Sequence, residues 1–324
     1  MKKCKTSNLI NQPGQVLKDK TKSGKDRKWK ERKQKSIELA KRLETLGLKG
    51  FERVYQCAEV LKFHKQDDGT LKLKEAWFCK NRQCPVCNWR RSLKYSAQIA
   101  KIVDEAIKRK PKAYFLFLTL TVRNCEGYEL DKEIKKMHKR FNNLMKYAKV
   151  KKNVLGFVRA TETSYNNVYG DYHPHMHVLL MVKSTYFSGH GDNYISQEEW
   201  VQLWQKAMQL DYEPSVDIRK VYDKKGKGIV SAIQETAKYP VKPMDVEVDD
   251  ESEMLQVTYD LYHGLKRKRL LSFGGIFKDI KNELGLDDVE DGDLVNTDED
   301  EEPATEGEEI IAQWCWERAN YFIV

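Results

Sequence analysis

Between residues 114 and 239 the hydrophobic period alternates between two and about 3.6, and no other stretch constrains the fold as much. Residues 114–122 are β-branched and aromatic and predict a central strand. Leu130, Ile134, Met137, Phe141 and Leu144 recur at helical spacing. Residues 154–163 and 172–182 read as strands, and the Asn-, Gly- and Asp-rich link between them predicts a hairpin. Ser196 and Glu199 have capping-box spacing ahead of Trp200, Leu203, Trp204 and Ala207. A strand over 215–222 and a helix over 228–239, redirected by Pro240, complete the order β-α-β-β-α-β-α.

The first six of these elements are the split βαβ arrangement of ferredoxin-like sheets, so the class expected is α+β, with an antiparallel sheet whose first and third strands are central. The third strand begins Tyr172-His173-Pro174-His175-Met176-His177. Strand alternation puts His175 and His177 on one face, with His173 beside them if the strand starts that early. Two imidazoles ~7 Å apart along a strand can converge on one divalent ion. A symmetric hairpin puts Glu162 opposite His173 and diagonal to His175, as a third ligand. A slip of one residue would turn it to the other face. His173 is the alternative third ligand, weakened by the effect of Pro174 on strand pairing. A mixed nitrogen and carboxylate set suits Mg²⁺ or Mn²⁺ better than it suits a soft metal.

In the 228–239 helix, Glu235 and Tyr239 are four apart and share a face, and Lys238 and Lys242 flank the tyrosine. A phenol with a pKa of ~10 is a poor nucleophile at neutral pH unless its proton is removed or its target is made electrophilic. A metal that polarises a phosphate does the second. Nearby lysines favour phenolate and hold phosphate.

Cys79-x4-Cys84-x2-Cys87 has zinc-ligand spacing, with Cys57 as the fourth ligand and His64 as the alternative. A closed tetrahedral Zn²⁺ site of this kind is structural. Arg90, Arg91 and Lys94 follow on a helix expected over 89–109, from which they could reach phosphates. Cys4, Cys125 and Cys315 have no partner spacing.

The net charge of +9 hides a strong asymmetry. Residues 1–50 carry +11, whereas 287–309 hold 13 Asp and Glu and no Lys or Arg. Outside that acidic stretch the chain carries +22, which points to a polyanionic partner, most simply nucleic acid. No apolar run of ~18 residues predicts a membrane span. The N-terminus lacks a signal-peptide pattern, so the cytoplasm is expected. There, cysteines serve more readily as metal ligands or buried thiols than as disulfides. The expected organisation is a basic arm and helix (1–50), a cysteine-rich zinc module and helix (51–112), a catalytic domain (113–245), a helical region (246–286), an acidic linker (287–309) and a docked end (310–324).

Phe117-Leu-Thr-Leu-Thr121, His175-Met-His177 and Glu235-x-x-x-Tyr239, in that order, resemble the three motifs of plasmid rolling-circle replication initiators. These belong to the HUH endonuclease superfamily, named for two histidines separated by a hydrophobic residue. The Cys84-Pro-Val-Cys87 and Ala237-Lys-Tyr-Pro-Val-Lys242 segments are similar to the branch that uses one tyrosine plus a glutamate. The resemblance covers about residues 50–285. It implies that Tyr239 cuts one strand at the double-strand origin and becomes joined to the 5′ phosphate. It also implies that His175 and His177 hold the catalytic divalent ion, and that Glu235 activates water to terminate the round. Origin DNA, a host helicase and a DNA polymerase are the partners it implies. A relaxase or transposase of the same superfamily is the nearest alternative, and a non-catalytic zinc-dependent DNA-binding regulator is the alternative from another class.

Overall fold

The computed structural model describes residues 14–188, 193–222, 248–290, 292–297 and 308–324. Its first elements are α1 (Trp29–Thr45), α2 (Phe51–Gln56), β1 (Val60–Lys65), β2 (Leu71–Ala76), α3 (Pro85–Arg109), β3 (Tyr114–Thr121), α4 (Leu130–Leu144) and α5 (Ala148–Asn153). There follow β4 (Val154–Asn166), β5 (Asp171–Val182), α6 (Gln197–Met208), β6 (Val216–Lys220), α7 (Glu251–Gly264), β7 (Leu271–Gly275), α8 (Ile276–Glu283), β8 (Glu309–Cys315) and β9 (Asn320–Ile323). The class is α+β with antiparallel sheets. Two compact units form, one from the chain up to Lys94 together with Val289–Val324, the other from Tyr95–Asp288. No helix among the described residues is long and apolar enough to cross a membrane.

The Tyr95–Asp288 unit is built on a five-stranded sheet of order β6-β3-β5-β4-β7, antiparallel at every step. Period-two alternation divides its side chains. Leu116, Leu118 and Leu120 of β3 and Met176, Val178 and Leu180 of β5 face one way. They are buried against Met137, Phe141 and Leu144 of α4 and Trp200 and Trp204 of α6. The helical stripe expected on α4 is the buried one. α6 starts with the expected capping box, in which the Ser196 hydroxyl accepts from Glu199 N and the Glu199 carboxylate accepts from Ser196 N.

Two expectations for this unit need correction. Residues 246–286 are not all helical, because β7 pairs with β4 and extends the sheet. Its Ser-Phe-Gly-Gly sequence reads as a breaker, but the glycines are what let it approach. A Cβ on Gly274 would sit 2.2 Å from the Phe157 ring, and Gly275 has a φ of 56° with the Leu155 carbonyl oxygen in the way of any Cβ. The hairpin is also longer than expected. Asn166 closes a tight turn by accepting from Gly170 N at 2.8 Å, while its side chain accepts from Val168 N at 3.0 Å. Glu162 therefore lies opposite His175, and Ser164 lies opposite His173. The shift is two residues, so Glu162 keeps its face.

The other unit joins the two ends of the described chain. Its sheet has the order β2-β1-β8-β9, with β8 paired to β1 and β9 to β8. In the aromatic end, Trp314 and Tyr321 are buried. The buried residues of α1 are Trp29, Lys33, Ser36, Leu39, Ala40 and Leu43. The stretch 287–309 is not wholly a linker either. Glu290, Leu294 and Thr297 are buried, and Glu309 opens β8.

Candidate functional site

The face of the five-stranded sheet opposite α4 and α6 carries His175 and His177 on β5, Glu162 on β4 and Thr119 on β3. Direct cross-strand pairing sets their neighbours: Glu162 with His175, and Thr119 with His177. Glu162 Oε2 lies 3.4 Å from His175 Nε2 and 3.8 Å from His177 Nε2. One donor atom from each of the three residues falls within 4.8 Å of the others.

Both imidazoles are oriented from behind. His175 Nδ1 is 3.0 Å from the His173 carbonyl, which only accepts, so the proton sits on Nδ1 and Nε2 keeps its lone pair. His177 Nδ1 is 3.1 Å from Thr119 Oγ1, and its ring stacks on Phe117 at 5.3 Å. Burial opposes a charged His175, but the Glu162 carboxylate and the His173 carbonyl outweigh it and hold its pKa above the ordinary value. Burial holds His177 below its ordinary value, against the pull of Glu162. Glu162 Oε1 is buried without a hydrogen-bond partner. A cation would satisfy that orphaned oxygen, so the residues present fit a hard divalent ion. His173 contributes its carbonyl, and its ring lies outside the three-donor group.

Thr119 and Phe117 were not singled out as site residues from sequence. The signal was available, since residues 117, 119 and 121 alternate onto one face of a strand adjacent to the histidine strand. Tyr239, Glu235, Lys238 and Lys242 lie outside the described residues.

In the unit formed by the chain ends, Cys57, Cys79, Cys84 and Cys87 are all buried and converge. The sulfur of Cys57 is 3.5 Å from that of Cys87 and 3.6 Å from that of Cys84, and Cys79 is 3.6 Å from Cys87. Cys57 follows α2, Cys79 follows β2, and Cys84 and Cys87 flank the start of α3. His64 is not part of the group. Cys79 N points at Cys57 Sγ, Asn81 N at Cys79 Sγ, and Ser36 Oγ lies 3.3 Å from Cys84 Sγ. Burial opposes ionisation of Cys84, but hydrogen bonds from the other three cysteines and Ser36 hold its thiol well below the ordinary value. Lys33 is fully buried, and its Nζ donates to the carbonyls of Tyr55 at 2.6 Å and Cys57 at 2.7 Å. Burial holds the Lys33 pKa below its ordinary value, against the pull of Cys57 and Glu59, and zinc-bound thiolates would supply the anion such a buried ammonium calls for. The group could hold zinc.

Arg90 and Arg91 do not face solvent, contrary to expectation, with exposures of 3% and 4%. Arg90 donates to the carbonyls of Leu294 at 2.9 Å and Val295 at 2.5 Å. Arg91 donates to the Lys80 carbonyl at 2.6 Å and to Asn88 Oδ1 at 3.1 Å. Lys94 donates to the Asp293 carbonyl at 2.7 Å, and Arg82 pairs with Glu290. The physical reason is that part of the acidic stretch folds onto these cations. They hold the protein together and are not available to phosphate.

Residues 70–322 match the model of the replication protein family. The chain is similar to "Protein rep" of Streptococcus pneumoniae serotype 2 (strain D39 / NCTC 7466), 51% identical over 310 residues that cover 95% of each chain. It is 46% identical to "Protein rep" of Lentilactobacillus hilgardii over 312 residues, covering 95% of this chain and 98% of the relative. A "Replication protein" of Staphylococcus aureus is 49% identical over 234 residues, 71% of this chain and 99% of its own. No solved structure matches. Family match and whole-length identity agree with the order of the three motifs, and the chain belongs to the replication protein family of plasmid replication initiators.

Proposed function

We propose that this initiator nicks and rejoins one DNA strand at the plasmid's double-strand origin by HUH-type chemistry. The observation that carries the reading is the convergence of Glu162, His175 and His177 on one sheet face, with both Nδ1 atoms engaged and both Nε2 atoms turned toward the carboxylate. The strand order β6-β3-β5-β4, with β3 and β5 central, supports a ferredoxin-like core. A divalent ion such as Mg²⁺ or Mn²⁺ held by these three residues would supply polarisation of the scissile phosphate.

The chain's own residues do the rest. The Tyr239 oxygen attacks phosphorus, forming the tyrosyl–phosphate bond as the bond to the 3′ oxygen breaks. The phenol loses its proton, and the leaving oxygen ends as a 3′-OH that a polymerase can extend. Lys238 and Lys242 hold the phosphate and favour phenolate. Transfer keeps the energy of the phosphodiester in the tyrosyl bond, so rejoining needs no nucleotide cofactor. Glu235, one turn before Tyr239 in sequence, takes a proton from water, whose oxygen then attacks the phosphate of the terminating junction. Hydrolysis at that point ends the round. The zinc module is structural in this reading. The cytoplasm is the place of action, with a host helicase and polymerase downstream.

The test is incubation with supercoiled plasmid carrying the origin and Mg²⁺ or Mn²⁺. Nicked circles with Glu235→Gln still nicking but failing to terminate support the reading. Origin binding without cleavage would instead mark a zinc-dependent regulator.

A further inference from the structure

A run of positive charge lies on α4 and α5, in a different stretch of the chain from the histidine motif. From 132 to 152 the chain holds nine Lys and Arg against one acid, Glu133. Two of these cations are committed, Lys135 to Asp131 at 2.6 Å and Lys149 to Glu199 at 2.5 Å. Others converge with α6. Arg140, Asn143, Lys146, Tyr147, Lys206 and Gln209 line an open groove of about 430 Å³. Arg140 donates to Gln209 Oε1, and Lys206 lies 5.7 Å from the centre of the Tyr147 ring. No carboxylate pairs with Lys146 or Lys206 among the described residues.

We infer that this α4–α6 groove is a second DNA site, which takes the sugar–phosphate backbone of duplex DNA. Its chemistry selects that partner. Three cations and two amides can hold phosphate oxygens. Single-strand channels add exposed aromatic platforms for stacking bases, whereas the one aromatic here, Tyr147, is half-buried with Lys206 over its ring.

The position of the groove sets what it binds. α4 and α6 cover the Leu118 and Val178 face of the sheet, whereas Glu162, His175 and His177 are on the other face. The helix layer alone is ~10–12 Å thick. One phosphate cannot occupy both places, so the groove anchors the double-stranded flank while a separate stretch is cut. This placement of the cut strand rests on the proposed nicking reading, whereas duplex binding in the groove does not.

The experiment uses the full chain with Arg140→Gln, Lys146→Gln and Lys206→Gln combined. Binding to a 30-bp origin-flank duplex, without added Mg²⁺ or Mn²⁺, is measured by fluorescence anisotropy across a salt series. Removing three phosphate contacts should weaken duplex affinity by about tenfold or more at physiological salt and lower the salt slope by about one per contact. The charge-preserving variant Lys146→Arg/Lys206→Arg should keep both, which separates lost charge from lost fold. Mn²⁺-dependent nicking of a short single-stranded origin oligonucleotide should be unchanged in the triple variant. Unchanged duplex affinity and slope would overturn the site. So would an equal loss of single-strand binding, or a loss of oligonucleotide nicking with the fold intact. If neither the triple variant nor the unaltered chain nicks, the nicking reading fails, and the duplex titration still decides the groove.

Discussion

Glu162 and His175 face each other directly across the β4–β5 pair, with Oε2 3.4 Å from Nε2. Their contact draws a carboxylate and an imidazole into a half-buried site where the second carboxylate oxygen has no partner. A cation would fill that need. Glu162→Ala should therefore lower Mn²⁺ affinity by at least ~10-fold, as loss of a metal-binding partner does, and raise the Mn²⁺ concentration needed for nicking. Manganese EPR reads the first effect directly. Unaltered binding and unaltered ion dependence would remove Glu162 from the site.

Thr119 holds His177 from behind through Nδ1 at 3.1 Å. Thr119→Val keeps the shape and removes the hydroxyl. The imidazole then loses the hydrogen bond that orients it, and metal affinity should fall ~10–100-fold. Thr119→Ser should restore it. A purely structural role would instead show as a lower melting temperature with metal affinity intact.

The four buried cysteines should bring one equivalent of zinc through purification, lost in Cys84→Ser. Lys33→Met should keep the bulk of the buried chain but speed zinc release to a chelator, because the compensating charge beneath the thiolates is gone. Elemental analysis and a colorimetric release assay measure both. Zinc-free protein with normal folding would exclude the site.

His138 gives a pH test of the fold. Burial, followed by the charges of Arg159 and Lys268, pushes its pKa from 6.5 down to about 3, and its Nε2 lies 2.9 Å from Thr161 Oγ1. The folded pKa is depressed, so the unfolded chain binds the extra proton between these values. The stability contributed by neutral His138 is complete above about 6.5 and drains away as pH falls toward 3. Between pH 7 and pH 5 the unaltered protein should lose about 2 kcal/mol more than His138→Gln, read by urea unfolding. Equal losses would mean His138 titrates normally.

How far the sequence could be read depended on the range over which each feature is determined. The alternation in β3 and β5 is local, so the strands and their shared face were legible. The Cys79, Cys84 and Cys87 spacing was legible for the same reason, and Cys57 joined it as expected. Hairpin register was not, because it turns on where Asn166 and Gly170 close the turn. β7 was hidden by Gly274 and Gly275, which act as breakers in isolation and as close-approach residues against Phe157. Arg90 and Arg91, on α3, looked exposed because Leu294 and Val295, which accept from Arg90, and Glu290, which faces Arg91, come some 200 residues later in the chain. Lys33 was passed over because a lysine in an apolar stripe is explained only once the cysteines lie beneath it.

The proposed nicking requires a tyrosine–phosphate bond to form at the origin. The direct measurement is denaturing electrophoresis of the full chain after Mn²⁺ incubation with a 3′-labelled origin strand, followed by peptide mapping of the adduct. A covalent adduct on Tyr239 is expected, abolished by Tyr239→Phe and strongly reduced by His175→Ala, with origin binding retained in both. An adduct mapped to another residue, or cleavage that persists in Tyr239→Phe, would contradict it.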